Sequence, residues 1–276
     1  MKEASFYKIL NNKQVRCVLC PHMCEIEEGQ SGFCKVRINI EGILYTKTYN
    51  KISSMSLDSI EKKPLRKYKP NTKILSVGTY GCNFTCDFCQ NYHISQMEPK
   101  LENISPTKLL KISDNIKESI GIAFTYNEPT IWYEYVYDVA KNNKKDTILV
   151  TNGYINKKPL EQLLPHINAM NIDIKSMRSK FYNTICDGTL KKVKQTIILA
   201  HQQTHVELTF LAIPNINDSN KEMSELAMWI KNIDSNIPLH IIPFRPMYKM
   251  KDIPRQTYED INRLKKIALK YLKYVY

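Results

Sequence analysis

The sequence predicts an α/β protein in which six βα units build a parallel sheet behind a small cysteine-rich segment. From Lys73 onward, short apolar stretches alternate with amphipathic ones, which is the pattern of strands that are each followed by a helix. The chain has 276 residues, 43% of them hydrophobic, and can therefore bury a substantial core. We expect an N-terminal metal-binding segment with a hairpin at residues 1–70 and the main domain at residues 71–276.

Four cysteines characterise the N-terminal segment. Two, three and nine residues separate them, which is metal-ligand spacing: Cys17, Cys20, Cys24 and Cys34. Four thiolates close a site around structural zinc or around a 4Fe–4S cluster, and either metal would stabilise a segment that is too small to fold on its apolar core alone. Further along, Glu41-Gly42 predicts the turn of a hairpin.

The main domain begins with a strand that leads into a second group of cysteines. Helix starts are marked by Ser105-Pro106 and by Pro129-Thr130, each of which places a proline in the first turn. The six predicted strands lie near residues 73–78, 120–126, 147–151, 168–175, 204–213 and 238–244.

Polar side chains alternate along one face of the fourth strand and one face of the fifth: Asn171, Asp173 and Lys175, then His205, Glu207 and Thr209. A parallel barrel strand is expected to be apolar on both faces, so inward polar faces indicate a ligand cavity. Two alternatives remain open. Asp173 and Lys175 could simply pair with each other, and His205 could lie at a solvated strand start.

Three further thiols lie within eight residues, with three and then two residues between them: Cys82, Cys86 and Cys89. This spacing favours a 4Fe–4S cluster with one iron left open, because a zinc site would have to borrow a distant fourth ligand. Gly78 and Gly81 allow the chain to turn sharply from the first strand into this loop. The open iron could bind a substrate or a cosubstrate.

This cysteine loop resembles the radical S-adenosylmethionine (SAM) superfamily. Residues 81–96 are similar to the AmmeMemoRadiSam-system enzymes, relatives of pyruvate formate-lyase activating enzyme, and further matches lie at residues 17–24, 60–65, 126–130 and 150–154. The resemblance covers nearly the whole chain. It implies a partial (β/α)6 TIM-like barrel with its active site at the C-terminal ends of the strands. It also favours a second 4Fe–4S cluster over zinc at the N-terminus.

The resemblance implies a set of SAM-binding residues: Phe88, Asn127, Glu128, Thr151, Asn152, Asp173, Lys175 and Arg245. Phe88 would lie beside the adenine, Asp173 and Lys175 would hold the methionine end, and Glu128 would bind the amino group. Tyr126-Asn127 stands where relatives have a glycine pair. Asn127 could instead cap the helix that Pro129 opens, and Thr151-Asn152 could be a tight turn only.

The implied chemistry starts from SAM bound to the open iron. One electron, from a donor such as flavodoxin or ferredoxin, would cleave SAM to methionine and a 5′-deoxyadenosyl radical, which abstracts hydrogen from an unidentified substrate. The protein would be a radical SAM oxidoreductase. It could act directly on a small molecule, a protein or RNA, or it could activate a glycyl-radical partner.

Charge leaves another class open. The formal net charge is +13, from 40 Lys and Arg against 27 Asp and Glu, so a zinc-stabilised nucleic-acid-binding module is the alternative to an enzyme. The basic residues are scattered and no RNA-binding signature accompanies them.

No stretch approaches the roughly 20 apolar residues of a membrane span, and no signal peptide precedes the cysteines. We expect a soluble cytoplasmic protein with reduced thiols; related enzymes usually continue past Tyr276, so the barrel mouth could be incomplete.

Overall fold

A computed structural model describes residues 1–276. The strands are β1 Lys2–Glu3, β2 Tyr7–Ile9, β3 Val15–Cys17, β4 Glu25–Ile26, β5 Arg37–Ile40, β6 Ile43–Thr46, β7 Lys51–Ile52, β8 Ser54–Ser59, β9 Lys73–Gly78, β10 Glu102–Asn103, β11 Ser119–Phe124, β12 Asp146–Thr151, β13 Ala169–Asp173, β14 His205–Ala212 and β15 Leu239–Pro243. The α-helices are α1 Tyr92–Ser95, α2 Pro106–Asn115, α3 Tyr133–Asn142, α4 Lys157–Leu163, α5 Ser179–Phe181, α6 Leu190–His201, α7 Asn220–Lys231 and α8 Tyr258–Ala268. Short 3₁₀ turns lie at Ile60–Lys62, Pro129–Trp132 and Leu164–His166, and a π-turn at Tyr182–Cys186.

A curled seven-stranded sheet forms a half-barrel and confirms the predicted fold class. Its order is β15-β14-β13-β12-β11-β9-β8. The six parallel strands, β9 and β11 to β15, are the six predicted ones. Each begins and ends within two residues of its predicted bounds. The seventh strand, β8, runs antiparallel to β9 and was not predicted.

Local capping rules explain where the helices begin. Ser105 accepts a hydrogen bond from the Lys108 amide at the start of α2, as its position before a proline predicts. Ser219 and Thr257 cap α7 and α8 in the same way. The second predicted helix opens with the 3₁₀ turn at Pro129 before α3 continues it.

The N-terminal residues form small antiparallel sheets, β2-β3-β4, β1-β6-β5 and β10-β7. Glu41 and Gly42 both have positive φ, 54° and 82°, between paired Ile40 and Ile43, so the predicted hairpin is confirmed with a two-residue turn. One apolar core runs from Phe6 and other N-terminal side chains into the barrel. β8 joins the main sheet ahead of residue 71, and the division of the chain at residue 70 stays a prediction.

The N-terminal end of the barrel is closed by polar contacts around Glu207. Its carboxylate accepts hydrogen bonds from the Arg66 amide at 3.0 Å and the Lys67 amide at 2.7 Å. The Nε2 atoms of His205 and His240 lie 3.0 and 2.6 Å from it. The polar face of the fifth strand is therefore satisfied by the protein itself at this end, and His205 lies away from the strand's C-terminal end.

The chain's last residues extend the sheet edge. The Leu239 amide donates to the Tyr274 carbonyl oxygen, the Ile241 amide donates to that of Tyr276, and the Tyr276 ring stacks on His240. No helix combines the length and apolar character required to cross a bilayer.

We expect Glu207→Gln to lower the free energy of unfolding by about 2 kcal/mol at pH 7, because an amide NH₂ would face buried donors. Burial alone would raise the pKa of Glu207, but hydrogen bonds from His205, His240 and the Arg66 and Lys67 amides lower it to about 2 from its ordinary 4.5. A lowered pKa stabilises the fold above pH 4.5, and this contribution is lost as the pH falls towards 2.

Urea unfolding followed by circular dichroism checks this between pH 7 and pH 3. The difference between wild type and Glu207→Gln should shrink below pH 4.5. Glu118→Gln, at an exposed carboxylate paired only with Lys73, is the matched control and should stay within about 0.5 kcal/mol of wild type. If the difference in unfolding free energy between wild type and Glu207→Gln did not change with pH, the lowered pKa of Glu207 would not contribute to stability.

Candidate active site

A cavity of about 350 Å³ opens at the C-terminal ends of the barrel strands. The cysteine loop after β9 forms one wall, and residues at or near the ends of β11, β12, β13, β14 and β15 form most of the rest. The cavity is lined by most of the predicted site residues: Cys82, Cys86, Phe88, Cys89, Asn127, Glu128, Thr151, Asn152, Asp173 and Lys175. The prediction of a cavity behind the polar strand faces is met at this end.

Two glycines allow the cysteine loop to pack closely on its surroundings. A Cβ atom at Gly78 would lie 2.7 Å from the Thr125 carbonyl oxygen. Gly81 has φ +85°, and a Cβ atom there would lie 2.6 Å from Cγ1 of Val36. Both distances are below normal contact, so the chain turns out of β9 as glycine permits and other residues do not.

The far end of the loop is held by the π-turn after β13. The Thr85 and Asp87 amides each donate to a carbonyl oxygen, those of Cys186 and Ile185, at 3.2 Å. Interaction with the neighbouring Cys186 thiol lowers the pKa of Cys86. Cys186 is buried, as expected for a small apolar side chain, and its contact with a predicted metal ligand was not foreseen.

The sulfur atoms of the loop have hydrogen-bond donors nearby. The Phe84 amide donates to Sγ of Cys82 at 3.3 Å, and Nδ2 of Asn152 lies 3.7 Å from the same atom. Sγ of Cys89 lies 3.1 Å from the Ser95 hydroxyl. Burial raises the pKa of Cys82 and of Cys89. No three His, Cys, Asp or Glu side chains converge to hold a single metal ion.

Glu128 is buried at the end of β11 and accepts three hydrogen bonds. Oε1 takes the Thr130 amide at 2.9 Å and the Thr151 hydroxyl at 2.6 Å, while Oε2 takes the Asn152 amide at 2.8 Å. Burial raises the pKa of Glu128 more than these hydrogen bonds lower it. Glu128, rather than Asn127, caps the turn that Pro129 opens, because its carboxylate accepts a hydrogen bond from the Thr130 amide.

Asn127 connects the segment that follows β11 to the segment that follows β9. Its Oδ1 accepts from the Thr79 amide and its Nδ2 donates to the Gly81 carbonyl, both at 3.0 Å. The preceding residue, Tyr126, has φ +73°, so the backbone takes a left-handed conformation although the glycine pair of the resemblance is absent. The Asn127 amide group is thus already occupied in holding the start of the cysteine loop.

Asp173 and Lys175 form an ion pair of 2.8 Å at the cavity wall. Burial would lower the pKa of Lys175, but the Asp173 carboxylate holds it well above its ordinary value. The Lys175 ammonium lies 5.6 Å from the centre of the Phe88 ring. The pairing foreseen as an alternative to ligand binding is therefore present, and both partners still line the cavity.

Not every predicted residue reaches the cavity. Arg245 is exposed and does not line it, because the chain leaves the barrel directly after β15. Lys62, Lys63 and Tyr126 do line it, although no role was predicted for them. The motif at residues 60–65 was a signal, since it belongs to the resemblance. Lys63 is buried there and pairs with Asp58 at 2.8 Å.

A half-barrel with a three-cysteine loop after its first parallel strand, at the C-terminal edge of the sheet, defines a class of metal-dependent barrel enzyme. The model of the Radical SAM superfamily matches residues 76–227, more than half of the chain. The chain belongs to the Radical SAM superfamily and is an enzyme of that class. Membership in the narrower AmmeMemoRadiSam group stays a prediction.

The chain is similar to the following three proteins. An uncharacterized protein of Methanocaldococcus jannaschii is 39% identical over 100% of this chain and 84% of its own length. The pyruvate formate-lyase-activating enzyme of Clostridium pasteurianum is 24% identical over 70% of this chain and 87% of its own length. A radical SAM methyltransferase from Sphaerobacter thermophilus shares the fold, with TM-score 0.58 and 15% identity over 76% of this chain and 67% of that one.

These findings favour SAM-dependent chemistry over the nucleic-acid-binding module. Enzymes of this superfamily use a 4Fe–4S cluster, SAM and an external electron donor.

We expect Asn127→Ala to lower the free energy of unfolding by roughly 2 kcal/mol even without SAM, because it strands the Thr79 amide and the Gly81 carbonyl. Thermal unfolding of the SAM-free protein is the measurement. Gln203→Ala removes an exposed amide and should change nothing. If Asn127→Ala unfolds like wild type but binds SAM less tightly, Asn127 is a direct SAM ligand instead.

Proposed function

We propose that the enzyme binds a 4Fe–4S cluster through Cys82, Cys86 and Cys89 and uses it to cleave SAM reductively. The observation that carries the proposal is that these three thiols share one cavity with a buried carboxylate, Glu128, and a largely buried ammonium, Lys175. The donor set fits a cluster with one open iron, because three thiolates face the cavity without a fourth protein ligand.

The surroundings of the thiols support a cluster. Sulfur ligands of such clusters commonly accept hydrogen bonds, which tune the reduction potential. The Phe84 amide, the Asn152 side chain and the Ser95 hydroxyl lie near two of the three sulfur atoms. The three sulfur atoms do not converge on a position for a single metal ion. This is compatible with a polynuclear cluster, which is larger than a single zinc ion.

The charged groups of the cavity complement SAM. Glu128 can accept from the amino group through oxygen lone pairs that its three donors leave free, and Lys175 can bind the carboxylate. Phe88 supplies an apolar surface for the adenine. The volume of about 350 Å³ lies within the roughly 300–1,000 Å³ range of small-molecule sites.

The cluster, when bound, supplies the electron that breaks the sulfonium bond and leaves methionine and a 5′-deoxyadenosyl radical to abstract hydrogen from the substrate. The protein's part is to orient SAM and to exclude water. Glu128 and the Asp173–Lys175 pair can do so because they are fixed by hydrogen bonds before SAM arrives.

A glycine of a partner protein is a second candidate hydrogen donor. The similarity to the pyruvate formate-lyase-activating enzyme of Clostridium pasteurianum supports it. Deuterium transfer from glycine-labelled protein into 5′-deoxyadenosine would distinguish this donor from a small molecule or RNA.

We expect the wild-type enzyme, reconstituted without oxygen and reduced with dithionite, to convert SAM to 5′-deoxyadenosine, measured by liquid chromatography. Replacing Cys82, Cys86 or Cys89 by alanine should abolish the product, because the cluster loses a ligand. Met97→Ala, which removes an exposed sulfur-containing side chain, is the control and should retain it. Absence of product from wild type with an intact, reducible cluster would exclude this function.

We expect Lys175→Met to weaken SAM binding by about tenfold or more, because a buried cation opposite the SAM carboxylate is lost. Anaerobic equilibrium dialysis of the unreduced enzyme measures the Kd without turnover. Lys73→Met changes an exposed lysine and should leave the Kd unchanged. Equal affinities of Lys175→Met and wild type would remove Lys175 from the binding site.

A further inference from the structure

A second cavity lies in the N-terminal segment. It is lined by all four N-terminal cysteines, which are free thiols. They come from three places, the end of β3, the turn before β4 and the turn before β5: Cys17, then Cys20 and Cys24, then Cys34. The fold therefore gathers the complete set that the sequence spacing singled out.

The same cavity contains a buried guanidinium. Arg37 is 1% exposed, and its Nη2 donates to both carboxylate oxygens of Glu134, at 2.9 and 2.7 Å. Its Nε and Nη1 are buried and have no partner in the protein. Cys17 and Cys34 line the same cavity as the guanidinium.

Two unpaired donors on a buried cation are costly. Neutral thiols are poor acceptors and would leave most of that cost in place. Metal-bound thiolates in the same cavity would be negatively charged acceptors for these donors. The unpaired donors of Arg37 therefore favour cysteines that carry charge.

His22 also lines the cavity but has other contacts. Its Nε2 donates to the Asn83 carbonyl at 2.7 Å, and its ring stacks on Phe33 with centres 4.2 Å apart. The four thiols are by themselves a complete ligand set, so the histidine is not required as a ligand. A +2 core closed by four thiolates, whether one zinc ion or a 4Fe–4S cluster, has a net charge of −2.

We infer that Cys17, Cys20, Cys24 and Cys34 bind a closed metal centre of this tetrathiolate class and that Arg37 is its buried hydrogen-bond donor, positioned by Glu134. The sulfur atoms do not yet converge on a single-ion position, so the ligands close in on binding zinc or surround a larger cluster. Arg37 is a positioning and charge-balancing residue, because it reaches the metal only through sulfur.

The centre would support the active-site loop directly. A Cβ atom at Gly81, one residue before Cys82, would lie 2.8 Å from the Cys34 carbonyl oxygen. The Asn156 amide donates to the Leu19 carbonyl at 3.0 Å, which joins the metal-binding turn to the segment after β12. The metal therefore orders the surface against which the cysteine loop packs.

The test uses the full chain with the active-site ligands removed, Cys82→Ala/Cys86→Ala/Cys89→Ala, purified without oxygen. We expect about four iron and four sulfide ions per chain, or about one zinc ion, retained after gel filtration with EDTA. Adding Cys34→Ser should abolish retention. Adding Cys186→Ala, the one cysteine outside both groups, should leave it unchanged. Failure of SAM cleavage would not affect this result.

Arg37→Lys keeps the charge but loses the planar donor group, and Arg16→Lys, at a half-exposed arginine in β3 that pairs with Glu25, is its control. We expect Arg37→Lys to release the metal to a chelator 10–100-fold faster, the usual effect of losing a residue that orients a ligand. If Arg37→Lys does not fold, the metal content of the wild-type protein still decides whether the N-terminal cysteines bind metal. Two clusters, or one cluster with one zinc, support the inference; metal bound to the active-site cysteines alone overturns it, as does equal release from Arg37→Lys and wild type.

Discussion

The active site depends on one buried carboxylate that ties strand ends to the cysteine loop. Glu128 holds the Thr151 hydroxyl and the Asn152 amide, which fixes the end of β12 against the end of β11. The Asn152 side chain then donates to Asn83 and lies beside the Cys82 sulfur. A single carboxylate thus positions the end of β12 and, through Asn152, a side-chain amide beside the Cys82 sulfur, so moving it would disturb both.

Charge is distributed along the barrel in two different ways. At the C-terminal end, Asp173, Lys175 and Glu128 line open space and can exchange contacts with a ligand. At the N-terminal end, Glu207 is saturated by protein donors, and Asn171 binds the Pro64 carbonyl at 2.9 Å. The segment from Pro64 to Lys67 therefore closes the floor, and the polar faces of the two strands reach the active-site cavity only towards their C-terminal ends, at Asp173, Lys175 and Thr209.

The parallel strands could be predicted because each is a short apolar run between turn residues, and the cysteine loop because its spacing carries the chemistry. β8 could not, since its sequence, Ser-Met-Ser-Leu-Asp-Ser, is mostly polar and half-exposed at a sheet edge. The contacts of Glu207 with backbone amides about 140 residues earlier leave no trace in sequence pattern. Arg245 failed to reach the cavity because position after a strand does not determine where the next loop runs.

The N-terminal cysteines and the active-site cysteines cannot be understood as independent modules. Gly81 must lack a side chain for the Cys34 carbonyl and Val36 to pack against the loop. Glu134, which holds Arg37, lies at the start of α3, just beyond the turn that Glu128 caps. One short stretch after β11 therefore supplies the carboxylate that lines the active-site cavity and the carboxylate that holds Arg37 in the N-terminal cavity. Loss of the proposed N-terminal metal would thus weaken packing against the active-site loop without changing any residue that lines the active-site cavity.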